Sequence, residues 1–152
     1  MKLCIDKKSR LLVVLENGEE VFRAPVALGR EPVGAKTCEG DGKTPEGLYH
    51  ICLTKEAGKY GQSLGLNYPA PHDADLARAQ GRIDTQTHAA ILAAHLEGRR
   101  PPWGTPLGGE IYLHAGGVHS DWTEGCIALE EADMAQIFAL RHAIELVEIL
   151  PE

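Results

Sequence analysis

Apolar and polar positions alternate along the start of the chain with the period of two that a half-buried strand requires. Residues 2–6 and 10–16 are two such runs, flanking the polar turn Asp6-Lys7-Lys8-Ser9-Arg10. Asn17-Gly18 follows, and both residues tolerate positive φ, so this pair predicts a hairpin into a third strand from Val21 to Leu28. A loop rich in glycine, proline and lysine covers about 29–46, and Gly47 to Leu53 predicts another strand. The middle of the chain, interrupted by Gly61, Gly65, Pro69 and Pro71, reads as irregular.

The periodicity then changes. Asp84 or Thr85 can cap a helix running to about Glu97, with Ile91, Leu92 and Leu96 on its buried side, and Gly98, Pro101 and Pro102 end it. Residues 110–114 predict a short strand with His114 at its end, and the loop after it carries Gly116 to Gly125. A second helix from about Glu130 to Arg141 places Met134, Ile137 and Phe138 at helical spacing, and Ala143 to Leu150 closes the chain as a strand. Strands outnumber helices and do not alternate with them, which argues against a doubly wound parallel sheet. The expected fold is a mainly β sandwich or barrel with two helices packed outside, formed as a single domain over residues 1–152.

Composition narrows the function classes. An apolar content of 43% is that of a globular protein. The net charge is −7 and no dense Lys/Arg cluster is present, which argues against a nucleic-acid partner. No apolar run approaches the roughly 20 residues needed to span a bilayer. The amino-terminal residues lack the apolar stretch of a signal peptide; the chain is expected either to stay inside the cell or to be a mature form with its leader removed. Four cysteines without a C-x-x-C are too few for a disulfide scaffold. Cys4 and Cys52, among apolar strand residues, are expected to be small buried hydrophobes, and Cys38 falls in a loop.

Gly42-Lys43-Thr44 is no phosphate loop, because position 37 is threonine where the motif needs glycine and Pro45 removes a backbone donor. His114, His119, Asp121 and Cys126 are ligand types for zinc, but their spacing matches no common structural zinc pattern. Neither a metal nor an organic cofactor is expected.

The chemistry concentrates in residues 111–129. An apolar strand delivers His114 into a glycine-rich loop that returns to Gly125-Cys126. A cysteine is nucleophilic as thiolate and needs a base or cation nearby, and His114 can reach Cys126 if the loop folds back. Gly125 permits a substrate carbonyl to approach the backbone, where N–H groups around Cys126 can bind an oxyanion. Taken alone, the same residues equally describe a buried structural cysteine beside a strand-end histidine.

The wider pattern resembles the YkuD-type L,D-transpeptidases. Their His-Gly, loop and Ser/Thr-x-Gly-Cys correspond to His114-Ala115-Gly116-Gly117 and Thr123-Glu124-Gly125-Cys126. Lys43-Thr44-Pro45-Glu46-Gly47-Leu48-Tyr49-His50-Ile51 is similar to the family's Lys-Thr-Pro-x-Gly-x-Tyr-x-Ile segment, and residues 106–114 to its strand into the histidine. The resemblance implies a mostly β fold and exchange at the diaminopimelate carbonyl of peptidoglycan stem peptides. In it Cys126 is the nucleophile, His114 the base and Gly125 part of the oxyanion region, and an amine or water resolves a thioester. It also implies reaction with carbapenems, peptidoglycan peptides as partners and a periplasmic or cell-envelope location. Trp122, Thr123 and His119 are weaker candidates for substrate contact; Trp122 equally well pins the loop, and His119 and Asp121 read more readily as solvated loop residues. Two departures stand out: Glu124 occupies a place where many members have histidine, and Ala128 one where many have arginine or asparagine. The alternatives are a hydrolase of the same family, a sortase-like transpeptidase, for which only Arg141 follows the cysteine, and a non-catalytic peptidoglycan-binding domain. Oligomeric state leaves no trace in the sequence.

Overall fold

A computed structural model describes residues 1–152. The alternating amino-terminal runs form β1 (Lys2–Asp6), β2 (Leu11–Glu16) and β3 (Glu19–Pro25), joined as antiparallel neighbours. Leu3, Ile5, Leu12 and Val14 are fully buried, while the residues between them are partly exposed, as the period-two pattern requires. The remaining strands are β4 (Gly47–Tyr49), β5 (Ile51–Gly58), β6 (Gly61–Leu66), β7 (Tyr112–Ala115), β8 (Ile127–Leu129) and β9 (Leu146–Leu150). Three helices accompany them: α1 (Pro71–Ala79), α2 (Thr85–Leu96) and α3 (Glu131–Ala139). One sheet has the order β3-β2-β1-β9-β4 and the other β5-β6-β7-β8. Side chains of both sheets and the helices meet in one cluster of 28 buried hydrophobic residues.

The mainly β architecture is as expected, with differences of detail. The predicted strand 47–53 breaks at His50, so that β4 and β5 join different sheets. The stretch read as irregular contains β6 and α1, which makes three helices where two were expected. Gly65 concealed β6: a Cβ there would lie 3.0 Å from the Tyr112 ring and 3.2 Å from Leu53 Cβ, so the strand has glycine where a ring crosses it. α1 was concealed by its opening Pro71-His72-Asp73; Pro71 suits a first helical position, and Asp73 accepts from the Ala70 N–H at 2.8 Å. The α2 N-cap is Asp84, whose carboxylate accepts from the Thr87 N–H at 2.7 Å.

The short carboxy-terminal edge of the second sheet positions the site. Parallel pairing of β7 with β8 sets Leu113 opposite Ile127 and His114 opposite Ala128. Beyond β8, the segment after β3 docks through bridges between Ala27 and Ala128 and between Gly29 and Thr123. The long loop 29–46 therefore begins against the segment that carries Cys126, between Thr123 and Ala128. It is tied down by the buried Lys7, whose ammonium donates to the carbonyls of Gly34 and Thr44 and to the Glu46 carboxylate, each at 2.9 Å. No helix is long and apolar enough to cross a membrane.

Candidate active site

Cys126 lies immediately before β8, opposite Tyr112. The Tyr112 N–H donates to its Sγ at 3.3 Å, and the thiol points at the Glu110 carbonyl oxygen, 3.4 Å away. Glu110 holds φ +56°, a left-handed conformation uncommon for a side-chain-bearing residue, and so turns its carbonyl toward the sulfur. Burial raises the Cys126 thiol above its ordinary 9.0, and the nearby Glu110 charge adds to this, while the Tyr112 N–H and Lys36 oppose it. The resting group is therefore a thiol at neutral pH, and forming thiolate needs a base.

His114 follows Tyr112 by two residues on the same strand, and with Cys126 lines one cavity of about 370 Å³. No hydrogen bond joins the two side chains. The imidazole is 5% exposed. Its Nδ1 makes a short contact with the Ala115 carbonyl oxygen, which can only accept, so Nδ1 carries the proton and Nε2 is left with a free lone pair. Desolvation lowers the His114 pKa below 6.5, which keeps the ring neutral near pH 7. Tyr60 stacks on the imidazole, with centroids 4.4 Å apart and planes 14° apart, and Trp122 stands edge-on to both rings.

The weaker candidates separate. Thr123, 3% exposed, donates from Oγ1 to the Cys126 carbonyl at 2.7 Å and accepts from the Gly125 N–H at 3.1 Å. It is thus a staple of the cysteine turn, and the Gly125 N–H is already engaged. What Gly125 supplies is space and conformation: φ is +137°, and a Cβ there would lie 2.6 Å from the Lys43 carbonyl oxygen. The Cys126 N–H donates to no group of the protein. Trp122 donates from Nε1 to the Gly117 carbonyl at 3.0 Å, pinning the loop and walling the imidazole. His119 is exposed and faces a different depression, with Gly116, Gly117 and Glu130, not the one holding Cys126. Asp121 is half-buried and does not line the cavity; it pairs with Arg10 at 2.8 Å and accepts from the Leu28 N–H at 3.0 Å. No three of the histidine, cysteine and acidic side chains gather as metal ligands. Glu124 forms an ion pair with Arg30 on the surface, and Ala128 is fully buried in its bridge to Ala27.

Sequence reading missed Tyr60, Tyr112 and Glu110. Tyr60 had a signal: it falls with Lys59 in a two-residue hairpin loop between Gly58 and Gly61, where an aromatic side chain is unusual. Tyr112 and Glu110 act through backbone groups, for which residue type carries no signal.

A neutral imidazole with a free Nε2, a thiol in the same cavity and an unpaired backbone N–H can together support nucleophilic acyl transfer. Comparison places the chain in a family: it belongs to the YkuD family, the L,D-transpeptidase catalytic domain, whose model matches residues 1–147. Among solved structures, it is similar to the helical cell shape determining protein Pgp2 from Campylobacter jejuni, with a TM-score of 0.67 at 20% identity, over 99% of this chain and 48% of that one. It is also similar to an L,D-transpeptidase from Stackebrandtia nassauensis, with a TM-score of 0.58 at 14% identity, over 99% of this chain and 55% of that one. An L,D-transpeptidase solved with imipenem aligns with a TM-score of 0.52 at 13% identity, over 97% of this chain and 57% of that one. The chain spans about half the length of these proteins. No curated protein matches the sequence.

Proposed function

We propose that this chain is a cysteine-dependent L,D-transpeptidase acting on peptidoglycan stem peptides in the cell envelope, with Cys126 as nucleophile and His114 as base. The observation that carries the reading is the placement of Cys126 and His114, two residues out of register on the β7–β8 pair, in one cavity with the imidazole tautomer fixed. Family membership supports it. His114 Nε2 takes the thiol proton as sulfur attacks the carbonyl, and the Cys126 N–H, free within the protein, donates to the developing oxyanion. Collapse breaks the C–N bond, the protonated imidazole returns its proton to the leaving amine, and a thioester remains on Cys126. An incoming amine resolves it, its proton passing to His114 and the thiol being restored. Gly125 and Thr123 position the cysteine turn, and Trp122 walls the imidazole.

Incubation with purified muropeptides, followed by mass analysis with and without added amine, tests the reading. Amine-dependent exchange products support a transpeptidase. Shortened stems alone would mean a hydrolase of the same family, and unchanged muropeptides would mean a binding domain.

A further inference from the structure

Six polar side chains of this chain are buried: Lys7, Lys36, Thr44, Ser63, His114 and Thr123. Five of them bond a backbone or carboxylate group of the protein. The sixth, Ser63, is 7% exposed and its hydroxyl has no partner in the protein. No side-chain oxygen sealed from solvent is left unpartnered, so this hydroxyl opens on a cavity, and Ser63 lines the one that holds Cys126 and His114. A buried hydroxyl that the fold leaves unpaired calls for a reason, and the cavity it faces is the proposed active site.

The sheet fixes where the hydroxyl sits. Ser63 on β6 pairs with Lys55 on β5 and with His114 on β7, and His114 pairs with Ala128 on β8, so the four residues form one row across the sheet. Directly opposed side chains share a face with Cβ atoms about 4.5–5.5 Å apart, which makes Ser63 the neighbour of the imidazole on the side away from β8. Cys126 belongs to the next row, opposite Tyr112, which is beside Gly65.

This placement meets a need of the chemistry. A scissile peptide nitrogen carries one hydrogen and, to depart as an amine, takes a second proton from His114 Nε2. The first hydrogen then requires its own acceptor beside the base. We infer that Ser63 is a further catalytic residue: its Oγ accepts the N–H that the amide already carries and that the departing amine keeps. The same hydrogen bond holds the incoming amine, with one N–H on Ser63, the other on His114 Nε2 and the lone pair toward the thioester carbon. This rests on the reading of Cys126 as nucleophile and His114 as base. Ser63 neither gains nor loses a proton. One C–N bond breaks for each C–S bond formed, His114 carries the thiol proton to the nitrogen, and the reverse restores the thiol.

The test compares two acyl donors that differ at the reacting nitrogen. A stem tetrapeptide has an N–H there, and imipenem, whose nitrogen is fully substituted within its rings, has none. Release of the terminal residue gives kcat/KM for the peptide, and intact mass gives the rate of adduct formation on Cys126 for imipenem, each in the parent and in Ser63→Ala. Loss of the hydroxyl should slow the peptide about tenfold more than it slows imipenem, the effect of one hydrogen bond in an enclosed site. Equal slowing of both donors would make Ser63 a support of the site's shape, and slowing of neither would leave it without a role. Either result overturns the inference and leaves the enzyme reading in place. A parent that releases no terminal residue and forms no adduct overturns the enzyme reading and the inference with it.

Discussion

The phenol ring of Tyr60 lies flat on the imidazole of His114, 4.4 Å between centroids, and so shields the proposed base with a residue from the tip of the β5–β6 hairpin. The hairpin thereby sets the environment of the imidazole. A Tyr60→Ala substitution should remove the stacking and admit water. Stacked aromatic pairs contribute about 0.5–1.5 kcal/mol beyond area burial, so kcat/KM should drop about three- to tenfold. The acid limb of its pH profile should also move up toward the ordinary histidine value, since desolvation is the chief cause of the lowered pKa. Tyr60→Phe should behave as the parent in both respects; a Tyr60→Ala profile with an unmoved acid limb would show that the ring does not govern the base.

The pH dependence of the parent follows from two opposite shifts. His114 is lowered from 6.5 and Cys126 is raised from 9.0, so neutral imidazole and neutral thiol coexist across the whole interval between them. The kcat/KM profile should rise with a single limb below pH 6.5 and stay flat to about pH 9. A lowered histidine pKa in the folded state also means that the unfolded chain binds the extra proton more readily. Stability is therefore unaffected at high pH and falls as pH drops through 6.5 toward the folded value. Urea midpoints for parent and His114→Gln at pH 8 and 5.5 check this: the parent should lose more than the variant on acidification.

The alternating runs of β1 and β2, the Asp84 cap and the helical spacing around Met134 and Phe138 were legible because local pattern and tertiary burial agree there. The cysteine box stood out as a candidate site because the residue types of the proposed nucleophile and base, and a glycine at the positive-φ position 125, mark it in the sequence. Gly65 was read as a breaker, since its reason, the Tyr112 ring crossing it, comes from a strand distant in sequence. Thr123 was read as a possible substrate contact because a hydroxyl in a loop does not announce which backbone groups it will bond. Arg10 and Asp121, far apart in the chain, gave no local sign that they would pair and anchor the loop before Cys126.

Thr123 joins two backbone groups on either side of the Gly125–Cys126 peptide. Thr123→Val keeps the shape but leaves the Gly125 N–H and the Cys126 carbonyl without that partner. It should cost about 1–3 kcal/mol of stability and reduce acylation of Cys126 by more than Thr123→Ser does. Thermal melts together with adduct formation by intact mass distinguish this from a general loss of fold.

Lys7 is a fully buried ammonium satisfied by two carbonyls and the Glu46 carboxylate, and it fixes the loop whose Lys43 carbonyl packs on Gly125. Lys7→Met leaves these acceptors unpaired and should destabilise the chain by about 3–5 kcal/mol. The double variant Lys7→Met/Glu46→Gln should recover part of that in urea unfolding, because the uncompensated carboxylate is gone.

The central claim is that Cys126 forms a covalent acyl intermediate. The most direct measurement is intact mass after incubation with imipenem, the ligand of a structural relative, followed by peptide mapping. One adduct per chain is predicted, located on Cys126, slowed in His114→Gln and absent in Cys126→Ala. An unmodified parent after long incubation, or an adduct that maps to the exposed Cys38 and persists in Cys126→Ala, would contradict it.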